Sequence, residues 1–205
     1  MPGGLLKNII SHGIGKIAEY LQEEDVTVLA HAFTSRFLED IGEAGIVDEL
    51  RVIISSNRRI TAYFTFSSQM SPSVQQFRVY GPKNSLIADY RHQTLIRIPR
   101  NYTSYLNQFI PPLFEGKQHI ANGLNNIRRF LRRDFHSESG IHTLISSFYR
   151  SLREDSPLPV PYRDILLTSR IMEEIFRQIQ CAAPGKPKEP NELPFSRIEV
   201  IRRGE

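Results

Sequence analysis

Between Leu50 and Ile98 the chain turns back on itself too quickly to build anything but antiparallel pairs. Leu50, Val52 and Ile54 alternate with polar or charged neighbours, a turn follows at Asn57 and Arg58, and Ile60, Ala62, Phe64 and Phe66 alternate with Thr61, Tyr63 and Thr65. A period of two marks a strand with one buried face, so this stretch is a hairpin. Ser71 and Pro72 interrupt it; Val74 to Tyr80 is the next strand, closed by the turn sequence Gly81-Pro82-Lys83-Asn84. Two short strands follow, Ser85 to Tyr90 and Gln93 to Ile98, separated by Arg91 and His92, with Thr94, Ile96 and Ile98 facing inward. A parallel pair needs a crossover of about a dozen residues or more, and none of these links has it.

Upstream, Asp25 to Ala32 reads as a strand rich in β-branched residues, followed by a polar, glycine-containing stretch through Gly45. From Tyr102 onward the pattern is helical. Pro111-Pro112 should force a break before Phe114, after which Ile120, Leu124, Ile127 and Leu131 follow helical spacing. Ile141, Leu144, Ile145, Phe148 and Leu152 repeat that spacing in a second amphipathic helix. Pro157, Pro159 and Pro161 end it, and a last helix runs from about Tyr162 to Gln180 with Ile165, Met172, Ile175, Phe176 and Ile179 inward. The expected class is therefore α+β: an open, mostly antiparallel sheet with helices packed on one face. Residues 1–181 form the expected domain, and 182–205, proline-rich and charged, a linker and tail with Arg197 to Ile201 as a candidate edge strand.

At 205 residues the chain can bury a real core. No apolar run reaches the roughly 18–20 residues of a membrane helix, and no basic stretch followed by an apolar one opens the sequence, so a cytoplasmic location without membrane contact is expected. One cysteine, Cys181, excludes an internal disulfide framework and a multi-cysteine metal site. His31, His92, His119, His136 and His142 show no zinc-type spacing and read as surface or loop residues, so no metal is expected. Net charge is +4. Its densest cluster, Arg128, Arg129, Arg132 and Arg133, reads as a solvated helix face, since no aromatic residues interleave for stacking on nucleic acid.

The stretch that carries chemistry is Pro2 to Leu21, PGGLLKNIISHGIGKIAEYL. On a helix, Leu6, Ile10, Ile14, Ile17 and Leu21 form one apolar stripe. Asn8, His12 and Glu19 fall on roughly the opposite side, beside Gly13 and Gly15. Interior glycine costs about 0.8–1 kcal/mol relative to alanine, so two of them flanking a histidine ask for a compensating close approach of a ligand or another backbone. His12 is thus a candidate general acid or base. The plainer alternative is a helix-surface histidine hydrogen-bonded to Asn8 one turn earlier.

Gly3, Gly4, an apolar run, Asn8 and then His12 four positions later resemble the active-site helix of the Gfo/Idh/MocA oxidoreductases. VYGPKNSLIADY is similar to that family's strand, glycine turn and strand, and PVPYRDILLTSRIMEEI to its closing helix. The likeness spans about Pro2 to Gln180, the second domain of such an enzyme. It implies a substrate-binding and oligomerisation domain of an NAD(P)-dependent oxidoreductase acting on a sugar or sugar nucleotide, with His12 catalytic, Asn8 binding the substrate hydroxyl, and homo-oligomers formed through the sheet face. Gly15 stands where the family often has an aspartate; Asn8 cannot act as a base, so proton transfer would rest on His12. A dinucleotide site needs a strand, a G-x-G-x-x-G turn and a helix. Gly13-Ile14-Gly15 lies inside a helix pattern with Ala18 at the third glycine's place; the family's catalytic lysine, in a Glu-Lys-Pro sequence, belongs to the same nucleotide-binding domain, and Gly185-Lys186-Pro187 does not match it, since it follows His12 in the chain and lies in the linker. The resemblance therefore implies that NAD or NADP is held by a nucleotide-binding domain lacking here, such as a separate Rossmann-domain chain. A non-catalytic binding or scaffold module on the same fold is the alternative, and nucleic-acid binding through the arginine face a lesser one.

Overall fold

The computed structural model describes residues 4–21, 25–43, 45–57, 60–100, 105–133 and 139–182. The expected tail lies outside them from residue 183 on, as do His136 and the side chains of Leu6 and Cys181; its first residue, Ala182, ends the last helix. Contacts divide the chain into two compact units, one comprising residues up to Gln69 and from Val160 on, the other Met70–Pro159. The α+β class and the antiparallel pairing are as the sequence implies, and the strands are shared between two three-stranded sheets.

The first unit holds helix α1 (Gly4–Ala18), strand β1 (Val26–Phe33), the short helix α2 (Arg36–Asp40), and strands β2 (Glu49–Ser56) and β3 (Thr61–Ser67). The sheet runs β1-β2-β3, with Val28 opposite Ile54 and Val52 opposite Phe64. That register puts Val28, Leu50, Val52 and Ile54 on one face, where they are buried.

The second unit holds strands β4 (Gln76–Tyr80), β5 (Asn84–Asp89) and β6 (Thr94–Pro99), then helices α3 (Leu106–Leu131) and α4 (Ser139–Glu154). Its sheet runs β4-β5-β6. The last helix, α5 (Tyr162–Ala182), returns to the first unit and packs on α1 and β1. Its buried stripe is Leu167, Ile171, Met172 and Ile175. Ile165, expected inward, is exposed: the stripe follows Asp164, which is buried beside Arg163.

Two helix expectations are overturned. Pro111 and Pro112 lie inside α3, which runs through them unbroken. Proline's fixed φ is helical, and the helix continues there without two of its amide donors. The second correction concerns faces. Ile120, Leu124, Ile127 and Leu131 of α3, and Ile141, Leu144, Ile145, Phe148 and Leu152 of α4, are all exposed. What α3 lays against the sheet is polar. Gln118 accepts from the Arg97 amide at 2.8 Å and donates to the Arg97 carbonyl at 2.9 Å. Asn122 accepts from the Leu95 amide at 3.4 Å and donates to its carbonyl at 3.0 Å, and Asn126 donates to the His92 carbonyl at 2.8 Å. Four helical residues advance about 6 Å and two strand residues about 6.7 Å, so side-chain amides at i and i+4 meet the outward backbone groups of an edge strand in step, and the next, at i+8, reaches the turn before it. They occupy the positions a fourth strand would take. The first unit uses the same device: Gln178 of α5 accepts from the Ala30 amide at 2.7 Å and donates to the Val28 carbonyl at 2.8 Å on the β1 edge.

Candidate functional site

Burying Ile10, Ile14, Ile17, Ala18 and Leu21 in the core turns the other side of α1 to solvent. Asn8 and His12 lie there, one turn apart and both exposed. Farther along that helix Lys16 pairs with Glu19 at 2.8 Å. The Asn8 carbonyl accepts a hydrogen bond from the Ser11 hydroxyl at 2.8 Å. Neither Asn8 nor His12 lines either of the two best-formed grooves among the described residues.

The two glycines beside His12 answer to different neighbours. A Cβ on Gly13 would stand 2.3 Å from a ring carbon of Phe64, so this glycine admits a half-buried aromatic of β3. A Cβ on Gly15 would meet only Thr168 at 3.8 Å, an ordinary contact. The compensation expected from a ligand is therefore supplied by packing at Gly13, and space remains at Gly15. This also decides whether a dinucleotide fits Gly13-Ile14-Gly15. Gly13 is backed by Phe64, Ile14 is fully buried, and the segment is mid-helix with its amides bonded within the turn, so the residues do not form a pyrophosphate cradle.

A second constellation, which the sequence reading did not single out, lies within the second unit. Pairing of Gln76 with Asp89 and of Asp89 with Thr94 sets those three in one row across the sheet, next to the row Arg78, Ile87 and Ile96. Glu115 and His119, one turn apart on α3, overhang these rows and close a groove of about 250 Å³ that also takes in His92. Asp89 anchors it. Its carboxylate accepts from the His92 amide at 2.8 Å, from His92 Nδ1 at 3.1 Å and from Gln76 at 2.9 Å. Burial works to raise the Asp89 pKa, but the hydrogen bonds from Gln76 and His92, with the His92 charge, outweigh it and lower the value to about 2. The result is an imidazole oriented by an ionised carboxylate, facing a cationic Arg78 and a second histidine.

No family model matches this chain. No curated protein and no solved structure matches it either. Its function is read from the residues alone. Among the described residues no group of three His, Cys, Asp or Glu side chains is placed to hold a metal ion, and no helix is long and apolar enough to cross a membrane. The groove was hidden in the sequence for a definite reason. His92 lies in a turn and His119 sits next to apolar Ile120, and only the polar docking of α3 brings the two elements together. The four-residue spacing of Glu115 and His119 was the available signal.

Proposed function

We propose that this chain is the substrate-binding and oligomerisation domain of an NAD(P)-dependent oxidoreductase that acts on a sugar or sugar nucleotide, in a cytoplasmic setting. The observation that supports it is the division of α1: a buried stripe holds the helix, and Asn8 and His12 stand side by side on its exposed face. On this reading Asn8 orients a substrate hydroxyl through its side-chain amide, and His12 takes or returns that hydroxyl's proton. On this reading the hydride partner is held by a separate nucleotide-binding chain or domain, in keeping with the mid-helix place of Gly13-Ile14-Gly15. The family likeness also points to pairing through an open sheet face; the outer face of β1-β2-β3 carries Tyr63 and Ile53, both exposed.

The test is turnover by the enzyme reconstituted with its nucleotide-binding partner. His12→Ala should lower it about 10²- to 10⁴-fold, the usual worth of a positioned acid or base, while circular dichroism stays unchanged. Undiminished turnover refutes the assignment. Titrating NADH or NADPH into this chain alone should give no change in nucleotide fluorescence; micromolar binding would show that the cofactor site is here after all.

A second reading, a non-catalytic binding or scaffold module, is favoured by one observation: α3 and α4 turn whole apolar faces to solvent. It expects no redox activity with any partner chain and no effect of His12→Ala on complex formation.

A further inference from the structure

The exposed face of α3 repeats with a period suited to another helix. Leu106, Leu113, Ile120 and Ile127 recur every seven residues, and Phe109, Gly116, Gly123 and Phe130 each follow by three, so the two sets alternate along one seam as the core positions of a coiled coil do. The apolar members are half to three-quarters exposed. The seam is opposite Gln118, Asn122 and Asn126, whose bonds to β6 and to the turn before it fix the helix with this face outward. Its two glycines have no neighbour: a Cβ on Gly116 or Gly123 would meet nothing within 4 Å. Each weakens the helix relative to alanine, and unlike Gly13 neither admits a side chain among the described residues.

We infer that α3 pairs antiparallel with α3 of a second copy of this chain, the glycines receiving large side chains of the other helix. In antiparallel pairs the first set of core positions faces the second set of the partner. One register satisfies every position of this seam: Leu106 meets Phe130 of the other copy, Phe109 meets Ile127, Leu113 meets Gly123 and Ile120 meets Gly116. Each glycine is opposed by a large aliphatic residue, and the same matches recur on both sides of a two-fold axis at Gln118, as an isologous dimer demands.

Area and charge agree. With a large side chain offering roughly 150–250 Å² and this face more than half exposed, α3 presents on the order of 800 Å² of apolar surface. That exceeds the roughly 300–600 Å² of a monomer's largest patch and equals the approximately 800 Å² per partner of a standard interface. Arg128, Arg129, Arg132 and Arg133 crowd the C-terminal end. Antiparallel pairing sets the two Arg128 residues about 30 Å apart along the axis, several Debye lengths, whereas parallel pairing brings the clusters together. The inference does not rest on the oxidoreductase reading and uses a surface other than the sheet face.

Sedimentation velocity of the full chain over a concentration series tests it. The wild type should dimerise, and Ile120→Glu, a charge at the centre of the seam, should weaken the dimer about thirtyfold or more. Gly123→Leu is the sharper variant: it favours the helix, leaving helical circular dichroism at least as strong, yet should weaken the dimer because Leu113 of the other copy loses its hole. A monomeric wild type overturns the inference, as does a dimer that survives both changes but is lost in Tyr63→Glu, which would place the interface on the sheet. A monomer that binds vesicles of phosphatidylglycerol and phosphatidylcholine through Ile120 also overturns it and assigns the face to an anionic lipid surface.

Discussion

Gly13 and Gly15 are two residues apart on one helix and should respond oppositely to the same change. Alanine at Gly15 gains helix propensity with room for its methyl group, so Gly15→Ala should stabilise the chain by about 0.5–1 kcal/mol. Alanine at Gly13 forces the Phe64 ring aside, and Gly13→Ala should destabilise by about 1–2 kcal/mol net, the cost of overpacking less that same gain. Urea unfolding of the two variants reads both signs. The sequence marked each glycine as needing a reason and could not say which had one, because Phe64 is 51 residues away in the chain. The outward placement of Asn8 and His12 was legible, since it follows from the apolar stripe on the same helix.

At the scale of elements, strands were read more safely than helix faces. Alternation fixed which residues of β2 and β3 face the core, and the register agrees with it. For α3 the same logic pointed the wrong way. An apolar stripe says that a face wants cover, not that this chain provides it, and the amides of Gln118 and Asn122 had a stronger claim on the bare edge of β6, with Asn126 on the turn before it. Replacing Asn122 by the near-isosteric leucine leaves the Leu95 amide and carbonyl without their partner. Asn122→Leu should cost about 1–3 kcal/mol and speed hydrogen exchange at the Leu95 amide, with little change at Val52 in the other sheet. Equal protection at Leu95 in wild type and variant would show that α3 is held by other contacts.

For the molecule as a whole, both units carry carboxylates held ionised by neighbours. Asp48 is opposed by burial but receives the Ser35 amide at 2.6 Å, the Ser68 hydroxyl at 2.8 Å and Gln69 at 3.0 Å, which together lower its pKa from 3.8 to about 2. Glu174, bonded by Arg177 and Gln178 against the opposing effect of burial, falls from 4.5 to about 2, and Asp89 of the second unit also reaches about 2. A depressed folded-state pKa stabilises above the unfolded value and is lost as pH falls through the folded one. Stability should therefore be level above about pH 4.5 and decline toward pH 2. Asp48→Asn should be less stable at neutral pH and show a shallower decline across that window, as urea midpoints at a series of pH values would reveal. A decline unchanged in slope would mean that Asp48 is not among the groups responsible.

The sequence by itself determined the class of fold, the antiparallel pairing, the core stripe of α1 and the exposure of His12 and Asn8, because each follows from periodicity or link length within a few neighbouring residues. Tertiary structure alone decided that the strands form two sheets, that α3 docks through amides and leaves its apolar seam outward, that Phe64 claims Gly13, and that Asp89, His92, Glu115 and His119 share a groove. Those outcomes depend on competition between groups distant in the chain, where a bare strand edge or an aromatic ring outweighs local preference, and no local pattern records which competitor wins.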